Sequence, residues 1–160
     1  MAKQWQNAME ARRGTRLELN PVNDDALQVL CVVAQREDDP TSFRAIHARI
    51  NPSELNDANT ANELAWRLAT NEALAYRSLD LALAFARRAC ALAPDNADAF
   101  DTHARVAYSL SNVASAISLQ EEACRLDPES ALFKGNLAYY KQVRETASKH
   151  ELGLRTVHDR

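Results

Sequence analysis

Residues 88–100 read RACALAPDNADAF, and residues 121–133 read EEACRLDPESALF. The two stretches close successive copies of one segment at an offset of 34 residues. Ala82 returns as Ala116, Leu83 as Ile117, Ala89 as Ala123 and Cys90 as Cys124. Leu92 returns as Leu126, Pro94 as Pro128 and Ala97 as Ala131. A period of this length marks a solenoid of helical hairpins, in which each unit buries its apolar face on the next. The expected fold class is therefore all-α.

Working outward, the first hairpin is expected from about residues 59–95. Its first helix covers 60–70, with Leu64, Ala65 and Leu68 inward and Trp66 turned partly away. NEALAYRSLD, residues 71–80, is five residues longer than the matching turn of the next unit, so it either lengthens the first helix or bulges, with Tyr76 packed back. The second helix spans 78–92, where Ala82, Ala86 and Ala89 permit close approach and Leu79, Leu83 and Phe85 supply bulk. In the second hairpin, residues 97–128, Pro94 stops the preceding helix and Asn96 caps the next. Phe100, Ala104 and Ala107 face inward, Ser111-Asn112 makes the turn, and Ala116, Ile117, Leu119 and Ala123 face inward from the helix 113–126. Ser130 caps a last helix, 131–147, with Phe133, Leu137, Ala138 and Tyr140 or Lys141 at core or edge. Residues 148–160 read as a polar tail.

Residues 1–57 fit the period poorly. Helices are expected at 2–13, 24–35 and 41–49, with a single turn from Ser53 in a polar connection. This third reads as a cap over the end of the repeats or as a worn hairpin, since a terminal unit otherwise leaves an apolar face wet.

The composition is that of an ordinary globular chain: 46% hydrophobic residues, three glycines and five prolines in 160. A formal charge of −3 gives no electrostatic reason to expect nucleic acid or an anionic membrane. No apolar run reaches bilayer length, and the opening MAKQWQNAMEARRG lacks the apolar middle of a secretory signal, so a cytoplasmic location is expected. Cys31, Cys90 and Cys124 each sit in an apolar helical run and read as small core residues. His47, His103, His150 and His158 make no metal-binding pair, and glycine is too scarce for a phosphate loop, so no metal and no cofactor are expected. His103 reads as a packing histidine; Cys90 with His103 is the one imaginable nucleophile and base, and it lacks a third group.

With these positions in phase, the chain resembles the tetratricopeptide repeat family over roughly residues 59–147. The family's large early residue falls at Phe100, and its small residue at Ala65, Ala104 and Ala138. Its next small residue falls at Ala82 and Ala116, its late alanine at Ala89 and Ala123, and its closing proline at Pro94 and Pro128. The insertion in the first repeat is similar to a bacterial variety of these proteins. His103 stands for the usual leucine, Ala107 for the usual aromatic and Ser111 for the usual glycine. The resemblance implies a short superhelix of antiparallel helix pairs, with N-terminal helices and a C-terminal capping helix.

It also implies that the first helices of the hairpins line a concave surface. Asn62, Glu63, Trp66 and Thr70 then face the groove, with Asp98, Asp101, Thr102, Arg105, Tyr108 and Ser109, and with Leu132, Asn136, Tyr139, Gln142 and Val143. Trp66, Arg105 and Tyr139 hold equivalent places and form one row of interface-type side chains. The expected function is a non-catalytic adaptor or scaffold that binds a protein or peptide at Trp66, Asp98, Asp101, Arg105, Tyr108, Asn136, Tyr139 and Gln142. Glu63, Asp98 and Asp101 favour a basic or mixed partner. Self-association into a homo-oligomer is the rival reading, and an enzyme is the least favoured.

Overall fold

The computed structural model describes Thr41 and residues 51–71 and 77–158, with side chains described through residue 149. The helices expected at 2–13, 24–35 and 41–49, with Trp5, Cys31 and Tyr76, fall wholly or mainly outside the described residues. Among the described residues there are five α-helices and no strand. They are α1 (Ala58–Thr70), α2 (Leu79–Leu92), α3 (Ala97–Ser109), α4 (Val113–Leu126) and α5 (Ala131–His158). A single 3-10 turn, Pro52–Glu54, precedes them.

The helices begin where short polar side chains satisfy free amides. Asp57 accepts from the Thr60 amide at 2.7 Å, and Asn96 accepts from the amides of Asp98 and Ala99. Asn112 accepts from Ser115 N–H, and Ser130 Oγ from Phe133 N–H. α1 ends at Thr70, so the extra residues of the first unit do not lengthen it. Ser78, just ahead of α2, donates its amide to the Leu68 carbonyl of α1 at 3.2 Å.

α1 packs on α2, and α3 on α4; α2 then packs on α3, α4 on α5, and α1 directly on α3. Alanine makes this closeness geometrically available. Ala61, Ala65, Ala82, Ala86, Ala89, Ala99, Ala104, Ala116 and Ala123 are all fully buried. Phe85, Leu64, Leu68 and Val106 supply the bulk around which the first core gathers. Leu55 joins that core, although it lies in the stretch read as a polar connection; Arg88 Nε holds its carbonyl at 2.7 Å. A second core gathers Ala104, Ala107, Ala116, Ile117 and Tyr140.

Several positions differ from the sequence expectation. In α3 Ala104 and Ala107 are buried as expected, but Ala99, Val106 and Thr102 are buried with them, while Phe100 is half-buried. The inward face is therefore wider than a single stripe and takes in Ala99, because α3 touches α1, α2 and α4 at once. Ala138 and Lys141 are exposed, and Phe133 and Tyr140 carry the core face of α5. Ala138 would face the second helix of its own hairpin, and α5 runs straight on to His158 in place of turning back. Nothing between 147 and 152 breaks a helix, and Gly153 alone costs only about 1 kcal/mol. The helix thus passes well beyond 147, into the stretch read as a polar tail. Its 28 residues make it about 42 Å long, twice its neighbours.

Ser111 occupies the turn between α3 and α4 with φ 63°, the left-handed region in which a Cβ is crowded. Ser111→Gly is expected to raise stability by about 1 kcal/mol, read as a higher urea midpoint at unchanged slope. Gly135 is the opposite case. It sits inside α5, and a Cβ there meets nothing within 4 Å. Gly135→Ala is expected to add about 0.5–1 kcal/mol by the same measurement.

Candidate functional site

The long polar and aromatic side chains of α1, α3 and α5 meet along one surface. Trp66 is 43% exposed and Tyr139 is 48% exposed. Between them, Arg105 places its guanidinium carbon 5.9 Å from the centre of the Trp66 ring, within cation–π reach. Tyr108 and Tyr139 share a hydrogen bond between hydroxyls at 2.7 Å, with rings edge to face at 5.5 Å. Tyr108 also stacks on the buried Tyr140 at 4.9 Å. The row therefore crosses three helices, from Trp66 through Arg105 and Tyr108 to Tyr139. Its two halves are built differently. α1 lies directly on α3, whereas α5 rests chiefly on α4 and reaches α3 through long side chains, notably these tyrosines. The hydrogen bond to Tyr139 and then partial desolvation raise the Tyr108 phenol above its ordinary range. Burial raises that of Tyr140, opposed by the Arg105 charge beside it.

The acidic positions behave less alike than the sequence suggests. Glu63 is paired with Arg67 one turn along α1. Asp101 is tied inward: its Oδ1 accepts from Gln120 Nε2 and from Asn136 Nδ2, each at 2.8 Å. Asp98 stays exposed at the start of α3. Asn136 thus spends its amide on Asp101, while Gln142 is exposed on α5. Thr102, expected at the surface, is buried because α3 is covered by α1, α2 and α4 together.

The Asp101–Gln120–Asn136 junction joins α3, α4 and α5, and its central member went unread in the sequence. Gln120 is fully buried; Nε2 also reaches the Phe133 carbonyl at 3.4 Å, and Oε1 has no partner. Asp101 dictates that orientation, since a turned amide would set two oxygens against each other. A signal existed. Gln120 stands 34 residues after buried Ala86 and three after buried Ile117, a polar residue on an apolar phase.

Cys90 and His103 do come together, with Sγ 3.7 Å from Nδ1. Burial pushes the Cys90 thiol up to about 11. Burial, then the charge of Arg87, pushes His103 down to about 4. Both groups are held neutral, the reverse of an activated thiolate–imidazolium pair. Cys124 is likewise a free thiol, raised by partial burial. Among the described residues no group of three potential ligands could hold a metal ion, and no helix is long and apolar enough to cross a membrane.

A pH dependence follows from His103. The unfolded imidazole protonates near its ordinary value of 6.5, while the folded one resists until about 4. Between these values the unfolded state holds more protons, so stability falls as pH falls. Partial exposure reduces the effect to about 1–2 kcal/mol. Urea midpoints at pH 7 and pH 4.5 are expected to lie closer together in His103→Leu than in the natural chain.

No family model matches the chain, and no curated protein matches it either.

Proposed function

We propose that this protein is a non-catalytic adaptor of the tetratricopeptide type, which holds a peptide or an extended protein segment along the Trp66–Arg105–Tyr108–Tyr139 row. The carrying observation is the exposure of aromatic and arginine side chains, braced by one another, across α1, α3 and α5. The aromatic rings anchor interfaces because they offer large contact area with few bonds to immobilise, and arginine does so through its planar fork of donors. The repeat-type reading is supported by the 34-residue phase and by the full burial of Ala82, Ala89, Ala116 and Ala123 at matching positions. The partner is of mixed charge: Asp98 offers an exposed acid, while Glu63 and Asp101 are engaged within the protein. A cytoplasmic setting is part of the same reading.

The test is affinity capture from native extract with the full chain and with a Trp66→Ala, Arg105→Ala, Tyr139→Ala variant of unchanged helicity. Loss of the captured partner supports the row, and unchanged capture rejects it.

One observation favours self-association as a second reading. α5 exposes Leu132 by 64%, and Gly135 and Ala138 are exposed on the same helix. A mass that rises with concentration and falls back in Leu132→Glu would support it over the adaptor reading.

A further inference from the structure

We infer that Arg105 receives the side-chain carboxylate of an aspartate or glutamate within the bound segment, while Trp66 and Tyr139 cover the residues on either side. This rests on the adaptor reading above and adds the chemistry of its central contact. The natural partner of Arg105 on its own helix is Asp101, one turn earlier. Asp101 is diverted: two amides, from α4 and α5, converge on its Oδ1. None of the ion pairs among the described residues includes Arg105. Its guanidinium is set over the Trp66 ring, which restrains the fork before a ligand arrives. A restrained guanidinium loses less freedom on binding and presents paired N–H groups that match a carboxylate.

The tyrosine pair adds a donor. Two hydroxyls carry two protons, and only one is spent in the 2.7 Å bond between Tyr108 and Tyr139. The other is available to the same anion. The charge suits a single carboxylate better than a phosphate dianion, since Arg67, the one cation of α1, is committed to Glu63. The acid belongs inside the segment and not at a chain end. Arg105 is the middle of the row, so an occupant touching Trp66 and Tyr139 passes it in both directions.

The experiment pans a display library of random twelve-residue peptides against the full chain, against Arg105→Glu, and against Trp66→Ala with Tyr139→Ala. Each variant is checked for unchanged helicity. The expected result is a fixed Asp or Glu between apolar or aromatic residues. Changing that residue to Asn or Gln should weaken binding about tenfold to a hundredfold. Arg105→Glu should select Lys or Arg at the same place. A fixed basic residue, or no fixed charge, in peptides still lost on the aromatic double variant would overturn the carboxylate assignment and leave the groove standing. Selected peptides indifferent to the aromatic pair, or no selected peptides, would overturn both.

Discussion

Replacing Phe85 by alanine is expected to remove about 4 kcal/mol of stability and to leave the chain largely unfolded at modest temperature. The ring is fully buried, and it stands in a core whose other members are mostly alanine: Ala61, Ala65, Ala69, Ala82, Ala86, Ala89 and Ala99. Alanine has no spare atoms with which to fill a hole, and its backbone is already at close approach. The cavity therefore stays open, and the cavity term adds to the lost transfer energy. Circular dichroism through a urea titration measures it. A loss below about 1.5 kcal/mol would mean that the helices collapse onto the vacancy and that the ring is not the centre of the first hairpin. Phe85→Leu, which keeps most of the volume, should cost less than half as much.

The second large effect concerns the buried junction of α3, α4 and α5. Asp101→Ala should cost about 2–3 kcal/mol, because it strips the Gln120 amide of its best acceptor inside the protein. The Gln120 Oε1 already lacks a partner, so the side chain is then unsatisfied at both ends apart from the 3.4 Å contact to the Phe133 carbonyl. Asp101→Ala combined with Gln120→Leu should recover most of the loss, since both polar partners leave together. The double-mutant cycle decides the matter: additive losses would show that the two side chains act independently. Asn136→Ala should cost less, because its amide sits in a half-buried place that water reaches.

Both predictions bear on how the fold is encoded. Phe85 was readable as core because it lies among Ala82, Ala86 and Ala89, whose phase repeats as Ala116 and Ala123. The caps Asn96 and Ser130 and the turn at Ser111-Asn112 were readable for the same local reason: a hydrogen bond or a dihedral angle within three or four residues decides them. Gln120 was not. Its type argued for solvent, and its burial depends on Asp101 and Asn136, which lie 19 residues before it and 16 after. Leu55 was missed likewise: its neighbours are polar, and its place in the core is fixed by Arg88, 33 residues away. The side chains of the candidate site were legible by repeat phase, but their pairing was not. That Arg105 lies against Trp66, that Tyr108 bonds Tyr139, and that Asp101 turns inward depends on how α3 and α5 stand to one another.

By itself, then, the sequence determined the helices between 58 and 147, their pairing and their alanine seams. Those features rest on short-range hydrogen bonding and on a periodic apolar face, and both repeat along the chain. Only the tertiary structure decided which charges are free, how far α5 extends, and which polar side chains are buried. Those outcomes turn on contacts between residues distant in the chain, where one partner's position sets whether the other meets protein or water.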